Sequence, residues 1–322
     1  MNVIQRPGAV VFSADFPDYI IDTEDTISFS VKLNDTVILS EEYSPDAAYQ
    51  VRIRKLGRFL AKALWGVWAS GNSTHLDNVA GTFDFYINDV KDCSSFVLFS
   101  RCVSKRTASS SWPLSAVSEK VIRKSVPDYT SFYLQSGETV SVTADGAEGS
   151  PVTKTLYTHV GGAGVVTLAT DYERIRGLLG SDVSVFSVGG MRFYVDKTSY
   201  AEKYIFRFRN NYDCTEIVCA VGSMVMNAEG DTETAFMAGI ERKFVAKRAD
   251  KFTVNSGVIL RQSDYRLWYD FIHAQQASIL YDGEWYDIII AEHKYERDYR
   301  KNILKSVEFT FRLADPDNNG VL

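Results

Sequence analysis

Four histidines, four cysteines and 41 acidic residues are the groups with which this chain could do chemistry. His75, His159, His273 and His293 are scattered, with no two inside four residues and no His-Glu-x-x-His among them. A metal needs several convergent ligands, so each histidine reads as a surface or packing residue. Asp287 and Glu292 lie near the Asp282-Gly283 turn and could offer the paired carboxylates of a glycosidase. In so acidic a chain chance supplies such neighbours, and the pair carries little weight. Asp315-Pro316-Asp317-Asn318-Asn319-Gly320 opens like a Ca²⁺ loop. The bidentate Glu and the helix that must follow are missing before Leu322, so a polar tail is the expectation. Gly161-Gly162-Ala163-Gly164 resembles part of a phosphate-cradling loop but lacks the Lys-Ser/Thr and a following helix, so it reads as a flexible turn. Ser13 sits in no Gly-x-Ser-x-Gly elbow. The expectation is therefore no catalytic residue, no cofactor and no metal.

Trp65, Trp68, Trp112, Trp268 and Trp285 could include a platform for sugar rings. Trp268 shares a helical stretch with Leu267, Phe271 and Ile272, and core or interface packing is the default for all five. Cys93, Cys102, Cys214 and Cys219 form no Cys-x-x-Cys pair, and reduced, mostly buried thiols are expected. Cys214 and Cys219, five apart, fall on opposite faces of a strand.

The elements that must position these groups are mostly strands. Hydrophobic residues are 45% of the 322 and aromatics 13%, with 18 Tyr and 19 Phe, which suits pleated, half-buried surfaces. Ile27, Phe29, Val31 and Leu33 alternate with polar residues, and Asn34-Asp35 turns them into Thr36–Tyr43. Short strands are expected at Tyr49–Arg54, Phe83–Ile87 and Ser94–Cys102. A helix is expected over Leu56–Trp65 from its apolar spacing. Residues 104–128 begin with Ser104-Lys105-Arg106-Thr107-Ala108-Ser109-Ser110-Ser111 and include Lys120, Arg123 and Lys124. Their composition predicts a basic, Ser-rich loop or arm.

Beyond it, Ser136-Gly137 is expected to turn Thr130–Gln135 into Thr139–Thr143. A strand is expected at Val152–Val160 and two helical turns at Asp171–Leu179. Gly189-Gly190 joins Val183–Val188 to Met191–Val195. Tyr204, Phe206 and Phe208 begin the last section. It holds a helix over Ser263–Gln275, a hairpin at Asp282-Gly283 and the alternating strand Val307–Leu313.

The fold class is thus mainly β: two or more antiparallel β-sandwich or barrel-like domains with one or two short helices. The expected divisions are 1–103, 104–128, 129–200 and 201–322. A net charge of −6 and a pI near 5.4 argue against nucleic acid as the main partner. The start shows no secretory pattern, and no apolar run approaches the ~18 residues of a membrane span. The expectation is a soluble protein made in the cytosol.

Several stretches carry a resemblance. Phe12-Ser13-Ala14-Asp15-Phe16-Pro17-Asp18-Tyr19-Ile20, Ser28-Phe29-Ser30, Tyr43-Ser44-Pro45-Asp46-Ala47, Val51-Arg52-Ile53-Arg54-Lys55-Leu56 and the closing Phe309-Thr310-Phe311-Arg312-Leu313-Ala314-Asp315 are similar to tail proteins of phages and prophages of Bacteroides-type bacteria. The likeness is one of pattern and spans the two ends of the chain, not the middle. It implies a structural virion protein near the tail tip, similar to distal tail or baseplate-hub proteins. Such a protein would form a homo-oligomeric ring linking tail tube to adhesion apparatus, contact other tail proteins and copies of itself, and need no active site. A carbohydrate-binding β-sandwich module (an adhesin) is the alternative, and a glycan hydrolase the third.

Overall fold

The computed structural model describes residues 1–103, 111–145, 150–300, 305–315, 317 and 322. The chain is mainly β, built of several sheets whose pairings are mostly antiparallel, with three short α-helices among the described residues.

The first sandwich follows from period-2 alternation. Ile27, Phe29 and Val31 are buried while Ser28 and Ser30 face outward. Their strand Ile27–Leu33 lies in a five-stranded sheet ordered Val10–Phe12, Val90–Leu98, Ala80–Ile87, Ile27–Leu33, Thr36–Tyr43. A three-stranded sheet of Asn2–Gln5, Tyr19–Asp22 and Gln50–Ile53 covers it. Tyr19, Ile21, Phe29, Phe83 and Phe85 meet between the two sheets. Each such side chain contributes roughly 1.5–3 kcal/mol by leaving water. Both residues of Asn34-Asp35 have positive φ, 48° and 63°, as the expected two-residue hairpin requires.

The helix expected over Leu56–Trp65 is shorter. It is α-helical only over Leu56–Leu60, followed by a 3₁₀ turn at Ala61–Ala63. The next backbone donors bond elsewhere: Trp65 N to Asn78 O at 2.8 Å, Gly66 N to Asp213 Oδ2 at 2.6 Å and Ala69 N to Thr215 Oγ1 at 2.9 Å. Tertiary partners outweigh helical spacing here.

The rest of the described chain, with the strand Ser73–His75, places three sheets around a shared interior. A seven-stranded sheet runs Thr215–Ala220, Tyr204–Arg209, Ala277–Tyr281, Glu284–Lys294, Glu308–Leu313, Ile240–Asn255, Met224–Met237. The helix Asp264–Ile272 sets Phe271 against Phe206, Phe208 and Phe309, at 5.4, 5.6 and 5.1 Å between ring centroids. A five-stranded sheet runs Glu119–Arg123, Met191–Asp196, Val185–Val188, Thr139–Asp145, Pro151–Thr158. A three-stranded sheet holds Tyr129–Leu134, Gly164–Ala169 and Ser73–His75. Stretches 129–200 and 201–322 meet in one hydrophobic cluster extending from Val117 to Leu313.

Two expectations change. Within the supposed loop or arm at 104–128, Glu119–Arg123 is a strand paired in parallel with Met191–Asp196. Its basic residues are held internally: Lys120 Nζ lies 2.7 Å from Asp128 Oδ1 and Arg123 Nε 3.3 Å from Asp196 Oδ2. Ser104–Ser110, with Lys105 and Arg106, lie outside the described residues. Ser136-Gly137 does turn the chain, but the flanking strands enter different sheets. Tyr129–Leu134 pairs with Gly164–Ala169, and Thr139–Asp145 with Pro151–Thr158 and Val185–Val188. Tyr129–Leu134 is buried on both faces although it is the outer strand of its sheet, so it is covered by other layers of the interior, which a simple hairpin would not supply.

Candidate functional site

The groups weighed from sequence are dispersed. Among the described residues no three His, Cys, Asp or Glu side chains converge as a metal group. The histidines nevertheless come together in twos, His75 with His159 at 5.8 Å and His273 with His293 at 5.1 Å between ring centroids. Asp287 Oδ1 accepts a hydrogen bond from Ser278 Oγ at 2.7 Å, and Glu292 is exposed. Asp317 N donates to Asp315 Oδ1 at 3.0 Å, while Pro316 and Asn318–Gly320 lie outside the described residues. The Gly161–Gly164 turn is fastened by His159 Nε2–H donating to Gly162 O at 2.7 Å. Ser13 is buried and exchanges hydrogen bonds with Ser100. All four cysteines are free thiols, with Cys214 and Cys219 buried.

Buried ionisable residues cluster where the Glu119–Arg123 strand meets the seven-stranded sheet. Thr170 Oγ1 donates to Asp128 Oδ2 at 2.7 Å beside the Lys120 ion pair. Burial pushes the Asp128 carboxyl up against the pull of Lys120 and Thr170. Glu216 accepts from Ser115 Oγ at 2.6 Å and Asn210 Nδ2 at 3.1 Å, and burial raises it too. Asp264 Oδ1 accepts from Val121 N at 3.2 Å, capping a backbone donor of that edge strand. Burial pushes Asp264 up to about 7, with the Val121 N–H and the charges of Arg123 and Lys120 pulling it down. The adjoining cavity, lined by Arg123, Asp128, Ser256, Asp264 and Trp268, holds only about 30 Å³. That is room for one or two waters. Perturbed carboxylates can mark active sites; this space is too small for a substrate, and the hydrogen bonds of Asp128, Glu216 and Asp264 link separate elements.

A second cluster ties the first sandwich to the seven-stranded sheet. The Arg207 guanidinium lies between Trp68 at 4.4 Å and Trp285 at 4.5 Å, with Arg209 over Trp68 at 4.3 Å. Arg207 Nε also donates to Ser278 Oγ at 3.2 Å, and burial pulls its guanidinium down to about 10. Arg101 pairs with Asp213 at 2.7 Å in the same seam. Cation–π packing of this kind contributes about 2 kcal/mol or more when desolvated. Trp68, Trp268 and Trp285 therefore pack, as their default reading had it, while Trp65 and Trp112 are exposed at 55% and 53%.

The feature with the most exposed chemistry is one that sequence reasoning missed. Strands Met224–Met237 and Ile240–Asn255 form a hairpin of 14 and 16 residues. Among the described residues its base alone joins the sheet, where Phe252–Asn255 pairs with Glu308–Phe311. From the Glu229–Ala249 pairing outward it runs as a two-stranded ribbon among the described residues, about 30 Å long at strand rise. Its tip turns at Ala238 and Gly239, with φ of 51° and 80°. Phe236, Met237 and Ile240 stand there 76%, 59% and 58% exposed. A hairpin with no third strand is marginal in water, and clustered exposed apolar side chains mark interaction surfaces. An Ala-Gly turn is a weak hairpin signal, and the sequence of the two strands shows no sustained apolar alternation to read.

No family model matches the chain, and no curated protein matches it. Among solved structures it is similar to the I9–I11 tandem from titin, at 7% identity over 79% of this chain and 93% of that one, with a TM-score of 0.18. A likeness at that score carries no argument about what the chain does.

Proposed function

We propose that the protein is a structural component of a phage tail tip or baseplate, assembling as a ring that links tail tube to adhesion apparatus. It acts by contact and turns over no substrate. The observation that carries this reading is the ribbon, which ends in exposed Phe236, Met237 and Ile240. An arm of this kind reaches across a neighbouring subunit, whose surface supplies the burial the ribbon lacks. The sequence resemblance at both ends of the chain supports the narrower assignment to the tail tip. Exposed Trp65 and Trp112 favour a glycan-stacking surface as the second reading. The test is a phage or prophage that carries this sequence. Particles made without the protein should have tails lacking the tip, and antibody against it should label the tip of complete particles. Complete, infectious tails without it would overturn the reading, as would glycan turnover by the purified chain. Glycan binding by a chain that remains monomeric would transfer support to the second reading.

A further inference from the structure

We propose that His273 and His293 form a two-imidazole site for a divalent transition-metal ion, with Zn²⁺ the best fit. The site is independent of the tail-tip reading. His273 follows the helix Asp264–Ile272, and His293 lies in the strand Glu284–Lys294 beside it. Both are exposed, and their rings stand 5.1 Å apart at an interplanar angle of 66°.

Three features prepare this pair. First, His273 Nδ1 lies 2.8 Å from the Tyr269 carbonyl oxygen. A carbonyl only accepts, so Nδ1 carries the proton and Nε2 of the neutral ring keeps its lone pair. A backbone carbonyl that fixes the tautomer is the usual support for a metal-ligating histidine. Second, Tyr269 packs against the His273 ring at 4.3 Å and 34°, which restricts its rotation. Third, the spacing lets one ion reach both rings. An imidazole nitrogen about 2.0–2.1 Å from zinc puts its ring centroid about 3.2 Å from the metal, and centroids 5.1 Å apart lie within twice that reach. Arg266, over the Tyr269 ring at 5.4 Å, is paired with Asp270 at 3.2 Å. Both rings are exposed, which leaves the remaining coordination positions open to water. Imidazole ligands suit zinc, nickel and copper and do not suit magnesium.

The experiment is calorimetric titration of the untagged full-length chain with Zn²⁺, and with Mg²⁺ as control. One Zn²⁺ should bind per chain, and Mg²⁺ should not. His273→Ala and His293→Ala should each weaken Zn²⁺ binding about tenfold or more, while His75→Ala leaves it unchanged. Both rings are exposed, and unchanged melting temperatures of the metal-free variants would show that the fold is intact. Absence of Zn²⁺ binding, equal binding of Mg²⁺, loss in only one of the two variants, or loss on His75→Ala would each overturn the proposal.

Discussion

At the scale of single residues, tight approach and buried charge decide what can change. Gly66 has no space for a side chain: a Cβ there would stand on the Asp213 carbonyl oxygen and the Arg209 guanidinium. Gly66→Ala should lower stability by roughly 1–3 kcal/mol, read as a shift in denaturant midpoint with unchanged slope; an unchanged midpoint would refute the close contact. Asp264 has an electrostatic consequence. An Asp in an unfolded chain titrates near ~3.9, whereas burial holds Asp264 at about 7 in the folded protein. Between those values the folded chain keeps a proton that the unfolded chain releases. This group's contribution to stability therefore falls as pH rises from about 4 to about 7, by up to about 4 kcal/mol. Asp264→Asn keeps an oxygen for the Val121 N–H and removes the charge. Relative to the parent, the variant should gain stability progressively across that window in melts taken at several pH values. A parent-to-variant difference that does not change with pH would contradict it.

At the scale of elements, legibility tracked how each strand is buried. Ile27–Leu33 and Glu308–Leu313 have one wet and one dry face, so their alternation was visible, as were the Asn34-Asp35, Gly189-Gly190 and Asp282-Gly283 turns. Glu119–Arg123 was hidden by its charges, because Lys120 and Arg123 look like solvent-facing residues until Asp128 and Asp196 are brought beside them by the fold. The His273–His293 pair was hidden because 19 residues and a hairpin separate them. The ribbon was hidden because its two strands carry no sustained apolar alternation. It is also the element whose removal should matter least to the rest. Replacing 231–247 with Asn-Gly, a turn suited to a two-residue hairpin, should leave the melting temperature within a few degrees of the parent, since the removed pairs lie beyond the strand Glu308–Leu313. A large drop would mean that the ribbon packs on the body. Ala238 at positive φ is strained by about 1 kcal/mol relative to glycine, so Ala238→Gly should slow amide exchange in the flanking pairs near the tip. Faster exchange would count against a left-handed Ala238.

At the scale of the whole molecule, the Trp68–Arg207–Trp285 seam ties the sandwich to the seven-stranded sheet, and among the described residues the hairpin Met224–Asn255 extends from the sheets as an arm. The arm presents open strand edges, which proteins ordinarily cover, and an apolar tip. A stable subunit contact buries on the order of 1,200 Å² or more, and an arm about 30 Å long offers enough surface to supply much of it. The central claim is assembly through that arm, and solution mass tests it most directly. Light scattering on the purified full-length chain over a range of concentrations should show a discrete oligomer. Phe236→Glu combined with Ile240→Glu should return it to a monomer with the parent's melting behaviour. A full-length chain that stays monomeric at every concentration, or an oligomer indifferent to the tip substitutions, would contradict assembly through the arm.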